Sequence, residues 1–247
     1  MSISQDEWPP GVTPPPSGED LPYDDGEPLE SNRHALQQIL LREVLEHAWA
    51  GRTDFFVGTN MFLYYSSLQF KKNDFRGPDV FVVLGGTERR DRKSWVIWEE
   101  DGRHPDVIIE LTSESTAGED RGRKKHVYGA LISVPEYFIY DPVSGALEGY
   151  RLQSSSRSYV PITGPAPPLR LGCEALGLEL GVWQGEYDGF PGAWLRWFLP
   201  GGAMLPTREE ALAAAERERV AAEERARQLA ERLATYEQRF GKLPDIG

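Results

Sequence analysis

The stretch Pro105-Asp106-Val107-Ile108-Ile109-Glu110-Leu111-Thr112 is the starting point for predicting the fold of this chain. It is a short apolar run typical of a buried strand, and the side chains of a strand alternate between its two faces. Val107, Ile109 and Leu111 are therefore predicted to share one face, with Glu110 on the other. A carboxylate near the end of a buried strand is costly unless it is paired or bound to a cation. Glu110 is therefore a candidate functional residue.

A second acid stands at a similar place in the stretch Gly77-Pro78-Asp79-Val80-Phe81-Val82-Val83. Two carboxylates on adjacent strands can chelate Mg²⁺, a hard cation that takes oxygen ligands and keeps several waters. Such a metal polarises a phosphoryl oxygen and lowers the pKa of a bound water, which suits phosphodiester hydrolysis. Asp79 and Glu110 are accordingly the predicted metal ligands.

A lysine is the third group that this chemistry needs, to hold the attacking water and offset the charge that develops on phosphorus. Residues 119–131 are predicted to form a helix directly after the strand that carries Glu110. Lys124 and Tyr128 are four residues apart, so they share a face of that helix. The predicted catalytic residues are Asp79, Glu110 and Lys124.

Each of these residues also has an ordinary explanation. Asp79 is compatible with a simple strand start, Glu110 with an arginine partner in the core, and Lys124 with a solvated helix surface. Asp106 is compatible with strand entry or with a supporting role beside the metal. The prediction rests on the combination of three such residues.

The two ends of the chain differ from its middle. Residues 1–28 are rich in proline, glycine and acids and are predicted to be a disordered leader. Ser31 or Asn32 is the predicted N-cap of the first helix, and residues 29–200 are predicted to form the main domain. Residues 207–242 are predicted to form a long charged helix that starts with a capping box. Its apolar residues recur every three or four positions, which fits either a coiled coil or a helix folded back on the domain.

Composition bears on partners and location. The chain has 247 residues, with 27 basic and 39 acidic side chains and a net charge of −12, which counts against a DNA-binding surface. Residues 71–93 nevertheless contain a basic cluster, either a solvated loop or a patch that contacts phosphates. The chain has no long apolar run, its start lacks the features of a signal peptide, and Cys173 is its only cysteine. A cytoplasmic protein without a membrane span is therefore expected.

The order and spacing of four segments resemble the Uma2 family of restriction-endonuclease domains. The segments are RGPDVFVVLG, HPDVIIELTSEST, EDRGRKK followed by Tyr128, and VPEYFIYDP. The resemblance implies an α/β (α+β) fold of the PD-(D/E)XK type, in which helices flank a mixed β-sheet. It also implies that Asp79 and Glu110 bind the metal.

One position departs from the wider superfamily, in which a lysine lies two residues after the acid on the same strand. Here that position is Thr112. The resemblance implies that the following helix supplies the lysine, with Lys124 the matching residue and Lys125 the alternative. Activity requires that one of these lysines reaches the carboxylates, whereas the fold does not depend on it.

These observations predict an endonuclease that uses Mg²⁺ or Mn²⁺ to hydrolyse DNA and forms a homodimer through its C-terminal helix. The alternative is an inactive nuclease fold that serves as a nucleic-acid-binding or protein-interaction module. Thr112 favours that alternative, and the net negative charge favours its protein-interaction version. A third hypothesis is a scaffold that recruits partners through the long helix.

Overall fold

The computed structural model describes residues 14–23, 31–67, 75–85, 90–164 and 169–241. The chain divides into two compact units, residues 1–205 and 206–247, which are described separately. The strands of the first unit are β1 Phe55–Thr59, β2 Leu63–Tyr64, β3 Phe75–Arg76, β4 Val80–Leu84, β5 Trp95–Val96, β6 Val107–Leu111, β7 Glu136–Tyr140, β8 Leu147–Gln153, β9 Ser158–Pro161, β10 Arg170–Cys173, β11 Leu178–Tyr187 and β12 Phe190–Phe198.

Two helical segments accompany these strands in the first unit. Helix α1 spans Asn32–Ala48, and its N-cap Ser31 accepts a hydrogen bond from the backbone N–H of His34, which selects Ser31 from the two predicted caps. Segment α2 runs without a break through Ala117–Glu119, Asp120–Lys124 and Val127–Ile132, and the last two stretches have π-helical hydrogen bonding.

The central sheet has six strands in the order β1-β4-β6-β7-β8-β9. Strands β6 and β7 are parallel, and all other neighbours in this sheet are antiparallel. The β6–β7 crossover is formed by α2, as a parallel pair requires a long connection. The fold is therefore a mixed α+β fold with a mixed sheet, which confirms the predicted fold class.

Both faces of this sheet are covered. Val107 and Ile109 of β6 pack in a cluster with Leu41 and Val44 of α1. The other face packs against α2, where Ile108 lies in a separate cluster. The strand is buried throughout because a helix covers each face, and this explains its continuous apolar sequence.

A three-stranded sheet of order β10-β11-β12 covers the far side of α1. Residues 183–198, which are rich in aromatic side chains, form most of its central hairpin. Gln37 of α1 is fully buried and holds this hairpin with two hydrogen bonds. Its Nε2 donates to the carbonyl of Leu195 at 3.0 Å, and its Oε1 accepts from the Leu195 N–H at 2.9 Å. Trp197 Nε1 donates to the carbonyl of Leu41.

Replacing Gln37 by alanine is expected to lower the free energy of unfolding by about 2–4 kcal/mol, since it leaves a cavity and two buried backbone groups without partners. Chemical denaturation measures this change. Ile39→Ala is the matched control, because Ile39 lies on the same helix and is 50% exposed. A loss as small as that of the control would contradict the role given to Gln37.

The third sheet has the order β3-β2-β5. Part of residues 1–28, the predicted disordered leader, packs against this region. Tyr64 donates to the carbonyl of Pro22 at 2.5 Å, and the indole of Trp98 donates to that of Pro16 at 3.0 Å. Residues 14–23 therefore pack against folded strands, and the expectation of disorder is wrong for them. Aromatic side chains supply apolar contacts that the leader itself lacks. The remainder of residues 1–28 lies outside the described residues.

Residues 94–99 contain both a short strand and a turn. Only Trp95–Val96 pairs as a strand, and Ile97–Glu99 forms a 3₁₀ turn. Trp95 hydrogen-bonds through its indole to the carbonyl of Arg103, which holds the chain as it reverses.

The second unit contains helix α3, Arg208–Phe240. The predicted capping box is present, since the Thr207 hydroxyl accepts from the Glu210 N–H and the Glu210 carboxylate accepts from the Thr207 N–H. Apolar residues along the helix, such as Leu212 and Leu229, are exposed. In the described part of the chain, no helix combines the length and apolarity that a membrane crossing requires.

Candidate active site

Strand register places Asp79 opposite Glu110. Strand β4 pairs with β6 so that Val80 faces Ile109, and continuing this register by one residue sets Asp79, just before β4, opposite Glu110. Directly opposite residues of antiparallel strands have Cβ atoms about 5 Å apart and side chains on the same face. Both side chains lie on the face that α2 covers, and the two carboxyl groups are within hydrogen-bonding reach.

Two hydrogen bonds hold the Asp79 carboxylate. Its Oδ2 accepts from the backbone N–H of Leu111 at 2.8 Å, and its Oδ1 accepts from Nε2 of Gln38 at 2.8 Å. Gln38 lies on α1, so a residue from the opposite side of the sheet reaches around the strand end. Asp79 is thereby fixed by two elements besides its own.

The Glu110 side chain is fully buried. Its Oε2 lies 3.0 Å from the ammonium of Lys124, and its Oε1 accepts a hydrogen bond from the Tyr128 hydroxyl at 2.7 Å. The Lys124 ammonium also lies 2.9 Å from Oδ1 of Asp120, a carboxylate that is only 1% exposed. The Lys124 ammonium therefore forms ion pairs with two buried carboxylates.

The irregular hydrogen bonding of α2 explains why three of its residues point at one place. Asp120, Lys124 and Tyr128 are spaced by four, which slightly exceeds one turn of an α-helix. In a π-helix the hydrogen bonds span five residues, so four residues fall short of a turn. A segment that mixes both geometries keeps such residues on one face, and π-helical turns occur often at functional sites.

The charges at this site shift the acidities of its groups. Burial, reinforced by the Asp79 and Asp120 carboxylates, raises the pKa of Glu110 to about 8 despite the Lys124 ammonium. Burial also raises the pKa of Asp79. Burial acts to lower the pKa of Lys124, but Glu110 and Asp120 outweigh it and raise that pKa above its ordinary value. The site therefore holds a protonated lysine within an excess of acidic groups.

The structure brings together the three residues predicted as the site: Asp79, Glu110 and Lys124. The ammonium of the alternative lysine, Lys125, lies instead 3.2 Å from the ring centroid of Tyr150. Thr112, at the position where the wider superfamily has lysine, is buried directly after the end of β6. The lysine contact to the acids therefore comes from the helix.

Asp106 lies at the opposite end of β6 from Glu110. Its Oδ2 accepts a hydrogen bond from the Leu84 N–H at 2.7 Å, which joins the entry of β6 to the exit of β4. Of the two roles that the sequence left open for Asp106, this contact corresponds to strand entry. A supporting role beside the metal does not fit, because Asp106 lies at the other end of the strand from Glu110.

Gln38 and Asp120 are the site residues that the sequence did not single out. A signal for Gln38 was present, since it lies four residues after His34 and three before Leu41 on the buried side of α1. A polar residue in that position requires a buried partner. Asp120 gave no comparable signal, because acids are common near the start of a helix.

Three of the four described basic residues in the 71–93 cluster form ion pairs, and the fourth, Arg76, donates to the carbonyl of Phe75. Glu100 pairs with Arg90 at 2.6 Å and with Arg92 at 2.7 Å, and Lys93 pairs with Glu19. Lys71, Lys72 and Arg89 lie outside the described residues. These ion pairs favour the interpretation of the described cluster as part of the folded surface.

Comparison with known proteins identifies the family. The family model of Uma2, described as a putative restriction endonuclease, matches residues 7–182. The chain belongs to the Uma2 family. The Uma2 match includes Asp79, Glu110, Lys124 and the other residues of the site described above. The resemblance seen in the sequence is thereby confirmed, and the chain is assigned to a family of nuclease type.

One solved structure with detectable similarity is a crystal structure of a putative nuclease belonging to DUF820 from Anabaena variabilis ATCC 29413. It shares 15% sequence identity, and the match covers 62% of this chain and 87% of that chain with a TM-score of 0.42. No curated protein matches the chain.

Proposed function

We propose that this Uma2 protein is an endonuclease that hydrolyses DNA phosphodiester bonds with the help of Mg²⁺ or Mn²⁺. The observation that carries the proposal is the convergence of Asp79 and Glu110, from adjacent strands, with the ammonium of Lys124. These are the charges that metal-assisted phosphodiester hydrolysis requires.

The residues fit a hard divalent cation. Asp79 and Glu110 present carboxyl oxygens on one face, and Asp120 is a third acidic group at this site, beside the ammonium of Lys124. No group of three or more His, Cys, Asp or Glu side chains suited to a metal occurs among the described residues. Mg²⁺ suits such a site because it retains water and takes phosphate oxygens beside one or two carboxylates.

Asp79 and Glu110 would hold the cation, which polarises a phosphoryl oxygen and lowers the pKa of a bound water when present. Gln38 and the Leu111 N–H orient Asp79, and Tyr128 orients Glu110. The Lys124 ammonium stays protonated, so it donates hydrogen bonds to the attacking water or to a phosphate oxygen. The burial of Glu110 excludes bulk water and strengthens each of these interactions.

Replacing Lys124 by methionine is expected to lower the rate of plasmid nicking at least about 100-fold, because a charge that stabilises the transition state is lost. Metal affinity is expected to stay equal or to increase, since a competing cation leaves the carboxylates. Lys125→Met is the matched control and is expected to stay within about threefold of wild type, because its ammonium contacts Tyr150.

These assays use supercoiled plasmid with Mg²⁺ or Mn²⁺ for cleavage and calorimetry for metal binding. Equal loss of nicking in both lysine variants would contradict the assignment of Lys124. Binding of DNA without cleavage by wild type would favour the inactive module. Neither binding nor cleavage, with self-association that requires α3, would favour the scaffold.

The proposal includes a homodimer that cleaves both strands, with α3 as the contact between copies. Support comes from the exposed apolar residues that recur along α3: Leu212, Leu229, Leu233, Tyr236 and Phe240. Light scattering of the full chain and of a chain ending at residue 205 tests this. A dimer is expected only for the full chain, and an unchanged mass on truncation would contradict it. We place this activity in the cytoplasm, where a lone buried thiol such as Cys173 stays reduced.

A further inference from the structure

Asp120 is a buried acidic residue at the site that has no role in the proposed hydrolysis. Its carboxylate is 1% exposed and lies 2.9 Å from the Lys124 ammonium, which also lies 3.0 Å from Oε2 of Glu110. Burying a third acid beside Asp79 and Glu110 is unfavourable, because like charges then repel in a medium of low polarity. Once Glu110 is ionised, as cation binding requires, it neutralises Lys124 by itself, so charge balance between these groups does not require Asp120.

The fold does not explain the carboxylate of Asp120 either. The hydroxyl of Tyr137 on β7 donates to the backbone carbonyl of Asp120 at 3.0 Å, and this bond ties the helix to the sheet whatever the side chain is. The carboxylate itself is directed at Lys124, one turn further along α2.

We propose that Asp120 is a positioning residue that keeps the Lys124 ammonium at the site when the oxygens of Glu110 are engaged by a divalent cation. This inference rests on the proposed function. A cation at Glu110 withdraws that carboxylate from Lys124 and repels the ammonium. The lysine side chain is long, flexible and 20% exposed, so without a second partner its ammonium moves into solvent. Asp120 holds the ammonium from the preceding turn of the same helix.

Accessibility of the Lys124 amine tests this directly, through trace acylation with acetic anhydride and quantification of the modified Lys124 peptide by mass spectrometry. The variants are Asp120→Asn, Glu110→Gln, the double variant, and Glu119→Gln as the control. Glu119 precedes Asp120 on the helix and is exposed, so its replacement removes the same charge outside the site. Thermal unfolding verifies that each variant is folded.

Without metal, the Glu110→Gln variant imitates the metal-bound state, because in both cases the Glu110 side chain offers Lys124 no free carboxylate. Acylation of Lys124 is expected to stay within about twofold of wild type in each single variant, because one carboxylate remains. It is expected to rise about tenfold in the double variant, where both buried partners are lost. Acylation in Glu110→Gln as fast as in the double variant would overturn the proposal.

With saturating Mg²⁺, acylation of Lys124 is expected to rise about tenfold in Asp120→Asn and to stay unchanged in wild type and Glu119→Gln. Continued protection in Asp120→Asn, in a sample where calorimetry detects bound Mg²⁺, would overturn the role of Asp120 and leave the proposed nuclease intact. Absence of Mg²⁺ binding to wild type would instead overturn the metal site, and the metal-free comparison would still decide whether Asp120 alone holds Lys124.

Discussion

Glu110→Gln is expected to reduce metal-dependent DNA cleavage at least about 1,000-fold, a loss of roughly 4 kcal/mol of transition-state stabilisation. The amide has the shape of the carboxyl group but lacks the charge that binds a cation. Its oxygen still accepts the Tyr128 hydrogen bond, and Asp120 still pairs with Lys124. The variant is therefore expected to fold as wild type does, which separates loss of chemistry from loss of structure.

The stability of this variant follows from the pKa of Glu110. Burial raises that pKa to about 8, well above the value near 4 of an unfolded chain. The folded state then binds more protons than the unfolded state between these values, so wild type loses stability as pH rises through this range. Glu110→Gln carries no such loss, so it is expected to be the more stable protein above pH 8.

Plasmid nicking and chemical denaturation at pH 6 and pH 9 measure the two effects. Glu99→Gln is the control, since Glu99 is an exposed acid outside the site. Two results would count against the account: residual cleavage within tenfold of wild type, or a Glu110→Gln protein that is markedly less stable than wild type at pH 9.

The affinity for Mg²⁺ is expected to depend on pH in a defined direction. Below about pH 8 the proton on Glu110 must leave before a cation binds, so the dissociation constant is expected to fall up to about tenfold for each pH unit gained. The raised pKa of Asp79 acts in the same direction. Above the pKa of Glu110 the affinity is expected to level off.

Calorimetry at pH 6, 7, 8 and 9 measures this dependence, and titrations at pH 7 in buffers of different ionisation enthalpy measure the protons released. Release of close to one proton or more per bound cation is expected. Binding of equal strength from pH 6 to pH 9 without proton release would show that Glu110 is not a ligand. Arg42→Gln, on the outer face of α1, is a control expected to retain the wild-type dependence.

The shared face of Asp79 and Glu110 could be predicted because it depends only on the alternation of side chains along strands. Val107 and Ile109 lie on one side of the sheet and Ile108 on the other, as the pattern required. The sequence also predicted the mixed sheet through its family resemblance. These features are local, or depend on one strand pairing.

The choice between Lys124 and Lys125 could not be made from the sequence. It depends on how many residues make up each turn of α2, and π-helical hydrogen bonding has no reliable signature in residue types. Gln38 was missed for a related reason, since its contact with Asp79 joins elements 41 residues apart. Residues 14–23 were predicted to be disordered from composition alone, which takes no account of the aromatic surface of a distant sheet.

The proposed hydrolysis requires that Asp79 and Glu110 bind one divalent cation between them, beside Lys124. Anomalous diffraction from crystals soaked in Mn²⁺ locates such a cation. An anomalous peak is expected about 2.1–2.3 Å from a carboxylate oxygen of each acid, with Lys124 still close to Asp120. A well-diffracting, fully soaked crystal with no peak between these two acids, or with peaks only elsewhere, would contradict it.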